Sequence, residues 1–328
     1  SSRWARMLDW LRRLARGAPA AAPMAPVQPP RADVQALLQR LDWTVLRRLD
    51  GALQGDHRSL FRGAGLDLAD LREYQSYDDV RHIDWNVTAR LQVPHVRLHQ
   101  EDREVSAWFL LDMTGSMGFG SAETSKRDMM LSFTGAMGLW LQRGGNRVGA
   151  MVLGGDPQRP VRVVPARMGR RHLLHLLDTA QQTPVSVGAH ATDLSAWLSQ
   201  AQSLLKRRAQ VFVLSDFLSP PGWERALAGL ARRHDGIAVR LTDPVEHDLP
   251  PGGLVWLEDA ESGEQMLLDG TDRRLRERYA ERARAREEAF RQALLLAGMD
   301  GLALSTDEDL VLALRHYIAL RKRRTLHA

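Results

Sequence analysis

The sequence predicts an α/β fold, a doubly wound and mainly parallel sheet, preceded by a helical and loop-rich accessory region. From residue 104 onward, short apolar runs alternate with stretches of helical period. Runs such as "WFLL" and "VFVL" lack the alternation of a half-exposed strand, which predicts strands covered on both faces. Strands that alternate with helices require right-handed crossovers, and these generate a parallel sheet.

The N-terminal residues predict two short segments before the accessory region. Residues 1–16 have helical periodicity, with Trp4, Leu8 and Leu11 on one apolar face and arginines elsewhere. Residues 17–32 are rich in Pro and Ala and are interpreted as a linker. A tethered basic helix can dock on a membrane surface, in the groove of a partner or on its own domain. The sequence favours none of the three.

The accessory region is expected to span residues 33–103. It begins with a predicted helix over 33–54, where leucines recur every third or fourth residue. Residues 55–103 are rich in Gly, Asp, Arg and aromatics without a regular period, which predicts short strands and ordered loops. Within them, Trp85 is predicted to be a core anchor.

The sheet domain is expected to span residues 104–322, followed by a basic tail over 323–328. Strands are predicted at "VSAWFLLD", "RVGAMVLGG", "VRVVPA", "AQVFVLSDF", "GIAVRLTD" and "GLALST". Helices are predicted at "SKRDMMLSFTGAMGLWLQR", "GRRHLLHLLDTA", "TDLSAWLSQAQSLLKRR" and "GWERALAGLARRH".

The last third of this domain carries three further expectations. "GLVWLED" and "EQMLLDG" predict a hairpin at the sheet edge. A long helix is predicted over 272–297, ending at Gly298. In the last helix, Thr306 and Asp309 resemble a capping box.

The composition excludes several functional classes. The 328 residues include no cysteine, which rules out disulfides, thiolate metal sites and cysteine nucleophiles. The net charge of +5 is small, and no basic stripe is interleaved with aromatics, so we expect no nucleic-acid binding. Neither a bilayer-spanning apolar run nor a secretion signal is found. We therefore expect a cytoplasmic protein, and leave peripheral membrane contact through residues 3–16 open.

Oxygen-bearing side chains follow the predicted strands where a parallel sheet binds its ligands. Asp112, Thr114 and Ser116 follow the first strand, Thr192 precedes a helix, and Asp216 follows "VFVLS". Carboxylates and hydroxyls without sulfur or histidine suit a hard cation, first of all Mg²⁺, with Mn²⁺ or Ca²⁺ as alternatives.

The same residues have a simpler interpretation. Ser, Thr and Asp are common helix caps and turn residues, and Thr192 or Asp216 alone is more often one of these. Their occurrence together, on successive strand ends, favours the cation site.

The segments "LLDMTGSM", "ATDL" and "VLSDF" resemble the metal-ion-dependent adhesion site of von Willebrand factor A domains, whose pattern is D-x-S-x-S, then Thr, then Asp. Thr114 replaces the middle serine and keeps a hydroxyl. The resemblance implies a Rossmann-like sheet in which the two first-loop hydroxyls bind the metal directly, the carboxylates often act through water, and an acidic residue of a partner completes the shell. By resemblance, these roles fall on Asp112, Thr114, Ser116, Thr192 and Asp216.

The upstream block is similar to domain-of-unknown-function family 58, whose signature is R-x-Y-x-x-G-D-D-x-R-x-I-D-W followed by A-R. The matching residues are Arg72, Tyr74, Asp78, Asp79, Arg81, Ile83, Asp84, Trp85, Ala89 and Arg90. Tyr77 stands where glycine is usual. This resemblance implies an adaptor or co-chaperone for a MoxR-type AAA+ ATPase. We interpret the charged residues of the block, with Tyr74 and Trp85, as a structural network of hydrogen bonds.

The chief enzymatic alternative is a phosphotransferase of the haloacid dehalogenase type with Asp112 as nucleophile. Its pattern is D-x-D-x-T/V, and Thr114 stands where the second Asp would act as general acid. A metal-dependent scaffold without an ATPase is a third candidate. We therefore expect a non-enzymatic adaptor that binds a MoxR-like AAA+ ATPase and a client protein.

Overall fold

The computed structural model describes residues 33–41, 71–75, 79–80, 83, 85–97, 106–121, 124–154, 161–184, 193–258 and 265–315. The strands are β1 (Leu71–Glu73), β2 (His95–Arg97), β3 (Ser106–Met113), β4 (Arg147–Gly154), β5 (Arg162–Arg167), β6 (Gln210–Ser215), β7 (Asp235–Thr242), β8 (Leu254–Glu258), β9 (Gln265–Asp269) and β10 (Asp300–Ser305). The helices are α1 (Val34–Leu41), α2 (Trp85–Leu91), α3 (Lys126–Arg143), α4 (Arg170–Gln181), α5 (Leu194–Leu204), α6 (Trp223–Arg233), α7 (Pro244–His247) and α8 (Arg273–Ala297).

The central sheet has six strands in the order β10-β7-β6-β3-β4-β5. All neighbouring strands are parallel except β4 and β5, which pair antiparallel. This confirms the predicted α/β fold with a mainly parallel sheet. From β3 the chain first extends the sheet toward β4 and β5 and then returns to β6 on the other side of β3. The strand order thus reverses beside β3, where open α/β sheets bind their ligands.

Helices cover both faces of this sheet, as predicted for a doubly wound fold. Alternate side chains of β3 and β6 enter two separate cores: Phe109 and Phe212 face one side, and Leu110 and Val211 face the other. The first core also contains residues of α1, α3 and α4, and the second contains residues of α5, α6 and α8. The apolar strand runs are therefore buried because both faces are packed.

Helix α1 joins the first core. Its Leu37, Leu38 and Leu41 are buried. Gly135 of α3 permits the close approach, because an added Cβ would lie 2.9 Å from Cδ1 of Leu41. The helix predicted over 33–54 is thus found over its first part, and residues 42–54 lie outside the described residues.

Two predictions for the C-terminal third are wrong in detail. Strands β8 and β9 do form an antiparallel hairpin, but it is a separate two-stranded sheet and not an extension of the central sheet. Thr306 does not cap the last helix, because its hydroxyl donates to Oδ2 of Asp243 at 2.6 Å. Asp309 is the cap instead, with Oδ1 accepting from the backbone N–H of Val311 at 2.7 Å, and the helix begins at residue 310. The long helix α8 ends as predicted, at Gly298 in the left-handed region.

In the accessory region, β1 and β2 pair antiparallel, and the backbone N–H of Tyr74 donates to the carbonyl of Pro94 at 2.7 Å. Trp85 is not a core anchor, since it is 68% exposed. Among the described residues of the accessory region, a seven-residue helix and two three-residue strands offer too little apolar surface to cover an indole. Asp79 and Arg90 are also exposed.

Several predictions concern parts of the chain outside the described residues. These are the N-terminal helix with Trp4, Leu8 and Leu11, the linker, the side chain of Arg72, residues Asp78, Arg81 and Asp84, and the basic tail. The predicted charged network and the domain boundaries therefore stay predictions. Within the described part of the chain, no helix combines the length and apolarity needed to span a bilayer.

Candidate metal centre at the carboxyl edge of the sheet

Asp112 lies near the end of β3, directly beside the end of β6. The parallel register places Leu111 opposite Leu214, so the next residues, Asp112 and Ser215, are neighbours. The Ser215 hydroxyl donates to Oδ2 of Asp112 at 2.6 Å. Asp112 is only 1% exposed. The first of the predicted oxygen donors is therefore fixed at the point where the strand order reverses.

The turn after β3 brings two hydroxyl groups to the same place. Oδ1 of Asp112 accepts from the backbone N–H of Thr114 at 3.1 Å and from its hydroxyl at 2.7 Å. Residues Gly115–Gly118 then form a 3-10 turn that contains the buried Ser116. The Ser116 hydroxyl is hydrogen-bonded to Asp216. Because both hydroxyl protons point to carboxylates, the oxygen lone pairs of Thr114 and Ser116 stay available to a cation.

Asp216 directly follows β6 and is 3% exposed. Its Oδ1 accepts from the backbone N–H of Leu218 at 3.0 Å, and its Oδ2 accepts from Nζ of Lys126 at 2.9 Å. Burial raises the pKa of the Asp216 carboxyl, but the positive charge of Lys126 and the hydrogen bonds from Lys126, Leu218 and Ser116 together lower it by more, so this pKa lies below its ordinary value. Asp216 is thus held as a carboxylate by an internal cation.

A strained residue shapes the turn after Asp216. Phe217 has a positive φ of 57°, which is unfavourable for a residue with a bulky side chain. Its backbone N–H donates to the Ser215 hydroxyl at 3.0 Å, and its ring packs against Phe290 with centroids 4.8 Å apart. Packing and hydrogen bonding therefore hold the backbone conformation that presents Asp216 and Ser215 to the site.

The two carboxylates repel each other. Burial and the negative charge of Asp216 raise the pKa of Asp112 from 3.8 to about 6, against the opposing effect of the hydrogen bonds from Ser215 and Thr114. A cation placed between Asp112 and Asp216 would relieve this repulsion. Buried carboxylates with two hydroxyl oxygens beside them are the donor set that fits a hard cation such as Mg²⁺.

The structure thus brings together four of the five predicted ligands: Asp112, Thr114, Ser116 and Asp216. Thr192 lies outside the described residues. Among the residues that the structure describes, no cluster of three or more His, Cys, Asp or Glu is positioned to hold a metal ion. A cation here would therefore depend on hydroxyl and water oxygens in addition to the two carboxylates.

Sequence reasoning missed two charged residues of the site. Lys126, the first residue of α3, is fully buried, and its Nζ lies 2.7 Å from Oε1 of Glu246 as well as 2.9 Å from Asp216. In the sequence, Lys126 resembles any lysine at a helix start, and no signal marks it as buried. Glu246 was detectable, because Asp243 and Glu246 have the three-residue spacing of the capping box that they form.

Asp243 connects the loop that follows β3 to the ends of β7 and β10. It lies directly after β7 and is fully buried. Its Oδ2 accepts from the backbone N–H of Ser121 at 2.8 Å and from the hydroxyl of Thr306 at 2.6 Å. The loop that carries Ser116 is therefore anchored at its far end to β7 and β10.

The fold and this site define a class: an α/β protein with a mainly parallel sheet and a buried, oxygen-rich candidate cation site at its switch point. The chain belongs to the DUF58 family, described as "Protein of unknown function DUF58", whose model matches residues 70–289. The matched region includes β3, β6 and all four described ligand candidates.

Relatives in mycobacteria extend the similarity over most of the chain. Uncharacterized protein Rv1480 of Mycobacterium tuberculosis (strain ATCC 25618 / H37Rv) is 37% identical over 291 residues, covering 89% of this chain and 90% of that protein. Uncharacterized protein Mb1516 of Mycobacterium bovis has the same identity and coverage. Uncharacterized protein MAV169 of Mycobacterium avium is 32% identical over 163 residues, which is 50% of this chain and 96% of that protein.

Solved structures give weaker similarities. An aerotolerance-related membrane protein from Bacteroides fragilis aligns with a TM-score of 0.43 and 14% identity, covering 67% of this chain and 99% of that chain. The conserved hypothetical protein BatB from Bacteroides thetaiotaomicron aligns with a TM-score of 0.39 and 12% identity, with the same coverage. Similarities of this size carry no functional conclusion.

Proposed function

We propose that this protein is a non-enzymatic adaptor or co-chaperone that binds an acidic side chain of a partner through a divalent cation, Mg²⁺ in the first place. Asp112, Thr114, Ser116 and Asp216 would hold the cation, with Thr192 as a fifth candidate from the family pattern. The observation that carries the proposal is the convergence of two buried, mutually repelling carboxylates with two hydroxyl oxygens at the switch point of the sheet.

The electrostatics of the site support a bound cation. Burial and the negative charge of Asp216 raise the pKa of Asp112, and a positive charge beside Asp112 would offset both effects. When bound, Mg²⁺ would supply that charge and an open coordination position, because it binds oxygen octahedrally and keeps several waters. A carboxylate from a partner is the ligand that such a position favours.

The hydrogen bonds of Asp112 support binding over nucleophilic catalysis. Both of its oxygens accept hydrogen bonds, from Thr114 and Ser215, and the residue is 1% exposed. Thr114 holds the position of the general acid in the phosphotransferase alternative, and its hydroxyl donates to Asp112. A nucleophile that lacks both access and a general acid loses most of its catalytic advantage.

The identity of the partner is carried over from the family resemblance. The motif between Arg72 and Arg90 is typical of proteins that accompany MoxR-type AAA+ ATPases, and the proposed partners are such an ATPase and a client protein. The scaffold alternative shares the cation site and differs only in lacking the ATPase.

The test is a pull-down from the native host with the full chain as bait, in Mg²⁺ or in chelator, read by mass spectrometry. We expect a AAA+ ATPase to be recovered in Mg²⁺ and lost in chelator and with Asp112→Ala. Recovery of other proteins alone, with the same metal dependence, would favour the scaffold. Phosphatase activity of the purified protein that is lost in Asp112→Asn would overturn the adaptor proposal in favour of the enzyme.

A further inference from the structure

Lys126 occupies an unusual position for a lysine. It is the first residue of α3, directly after the capping residue Ser125, and it is 0% exposed. Burying an ammonium group costs several kcal/mol unless it is paired. The N-terminus of a helix also disfavours a positive charge, because the helix dipole is positive there. Two unfavourable effects therefore act on Lys126, and its carboxylate partners must offset both.

Those partners lie on different parts of the fold. Nζ of Lys126 is 2.9 Å from Oδ2 of Asp216 and 2.7 Å from Oε1 of Glu246. Glu246 is itself fixed, because its Oε2 accepts from the backbone N–H of Asp243 at 3.1 Å and its carbonyl accepts from Arg286 at 3.2 Å. The ammonium is thus held firmly against one of the two carboxylates of the cation site.

Lys126 is the cation that directly contacts the site carboxylates. Its ammonium lies 2.9 Å from Asp216 and 2.7 Å from Glu246, whereas the guanidinium of Arg240 is paired with Glu287 at 2.6 Å. A divalent cation bound at Asp216 would therefore lie close to a positive charge that weakens its attraction to the carboxylates, and a further carboxylate would strengthen its binding.

We propose that Lys126 is a specificity-determining residue: it compensates Asp216 so that a divalent cation binds weakly alone and tightly only together with a carboxylate from a partner. This inference rests on the proposed function and deepens it, because it explains why metal and partner would bind as a unit. Lys126 acts as a tethered cation that prevents the site from being saturated by metal in the absence of the partner.

The experiment measures binding of Mn²⁺ alone to the purified full chain by electron paramagnetic resonance. Lys126→Met removes the tethered charge, and its Mn²⁺ affinity should rise at least about tenfold over wild type. Glu246→Gln leaves Lys126 in place but removes its second partner, and its affinity should fall by about the same factor. Lys206→Met is the matched control, since Lys206 is exposed and precedes β6 at the opposite edge of the sheet; it should bind as wild type does.

The two variants distinguish a lysine that tunes metal affinity from one with a merely structural role. A merely structural lysine would give lower or unchanged affinity in both variants, whereas the proposal requires opposite directions. If Lys126→Met does not fold, as judged by circular dichroism, Lys126→Gln, which removes the charge but keeps a polar end group, replaces it; its Mn²⁺ affinity should also rise, and an unchanged or lower affinity overturns the proposal.

Asp112→Asn is also introduced into wild type, Lys126→Met and Glu246→Gln, to measure how much of the Mn²⁺ binding of each protein depends on Asp112. These measurements separate the role of Lys126 from the proposed function. Mn²⁺ binding that depends on Asp112 but is equal in wild type, Lys126→Met and Glu246→Gln overturns the role of Lys126 and leaves the cation site intact. Absence of Asp112-dependent binding in every protein, including Lys126→Met, overturns the cation site itself.

Discussion

The hydroxyl of Ser215 donates a 2.6 Å hydrogen bond to Oδ2 of Asp112 and so joins the ends of the two central strands, β6 and β3. The same hydroxyl accepts from the backbone N–H of Phe217 at 3.0 Å. Contacts within the protein therefore fix Asp112, but at an electrostatic cost, because burial and the charge of Asp216 raise its pKa to about 6.

This cost predicts an unusual pH dependence for the metal-free protein. A raised pKa means that the folded state binds the Asp112 proton more tightly than the unfolded state. The resulting stabilisation is complete below the unfolded pKa of about 3.8 and is lost as the pH rises through about 6. The lowered pKa of Asp216 acts in the opposite direction, but only below its own ordinary value of 3.8.

Asp112→Asn removes this titration. In chelator at about pH 7, the variant should be more stable than wild type by roughly 1–3 kcal/mol, and the advantage should shrink toward about pH 5. Urea unfolding at the two pH values measures the difference in the free energy of unfolding between Asp112→Asn and wild type. The contributions of the other titrating groups are the same in both proteins and largely cancel in this difference. A variant that is less stable at pH 7, or a difference that does not change with pH, contradicts the assigned electrostatics.

Asp243 is predicted to matter for stability through the loop that it anchors. Asp243→Ala leaves the backbone N–H of Ser121 and the hydroxyl of Thr306 without their acceptor and removes the cap of α7. We expect a loss of about 2–4 kcal/mol in the free energy of unfolding. Thr306→Val removes only one of these hydrogen bonds and should reduce the free energy of unfolding by about 1 kcal/mol. Equal losses in the two variants would show that the loop is held by other contacts.

Helix α1 is predicted to contribute to the stability of the sheet domain. Leu38 is fully buried in the first core beside Leu41 and Gly135. Leu38→Ala should reduce the free energy of unfolding by about 2–4 kcal/mol, because the helix cannot collapse onto the cavity completely. The neighbouring Gln39 is exposed, and Gln39→Ala should change stability by less than about 0.5 kcal/mol. Chemical denaturation of both variants is the check, and a loss below about 1 kcal/mol in Leu38→Ala would mean that α1 is not docked in solution.

The sheet and the ligand candidates were predictable because their signals are local. A run such as "VFVLSD" shows both the buried strand and the acid that ends it, and the alternation of strands with helices indicates a mainly parallel sheet. Asp112 and Asp216 could therefore be assigned to one sheet edge before any coordinates were known.

What escaped prediction depends on contacts between distant residues. Lys126 is separated from Asp216 and Glu246 by 90 and 120 positions, and nothing near Lys126 marks it as buried. Thr306 fits a capping box locally, but the buried carboxylate of Asp243 competes successfully for its hydroxyl. Trp85 was misjudged because apolarity predicts burial only where enough surrounding structure exists to cover the side chain.

The most direct test of the central claim is the affinity of the proposed AAA+ ATPase partner for the full chain, measured by surface plasmon resonance in Mg²⁺ and in chelator, for wild type and Asp112→Asn. The proposal predicts tight binding for wild type in Mg²⁺ and a loss of at least about a hundredfold in chelator, with Asp112→Asn equally weak in both conditions. Binding of equal strength in Mg²⁺ and chelator, unaffected by Asp112→Asn, would contradict a cation bridge between this protein and its partner.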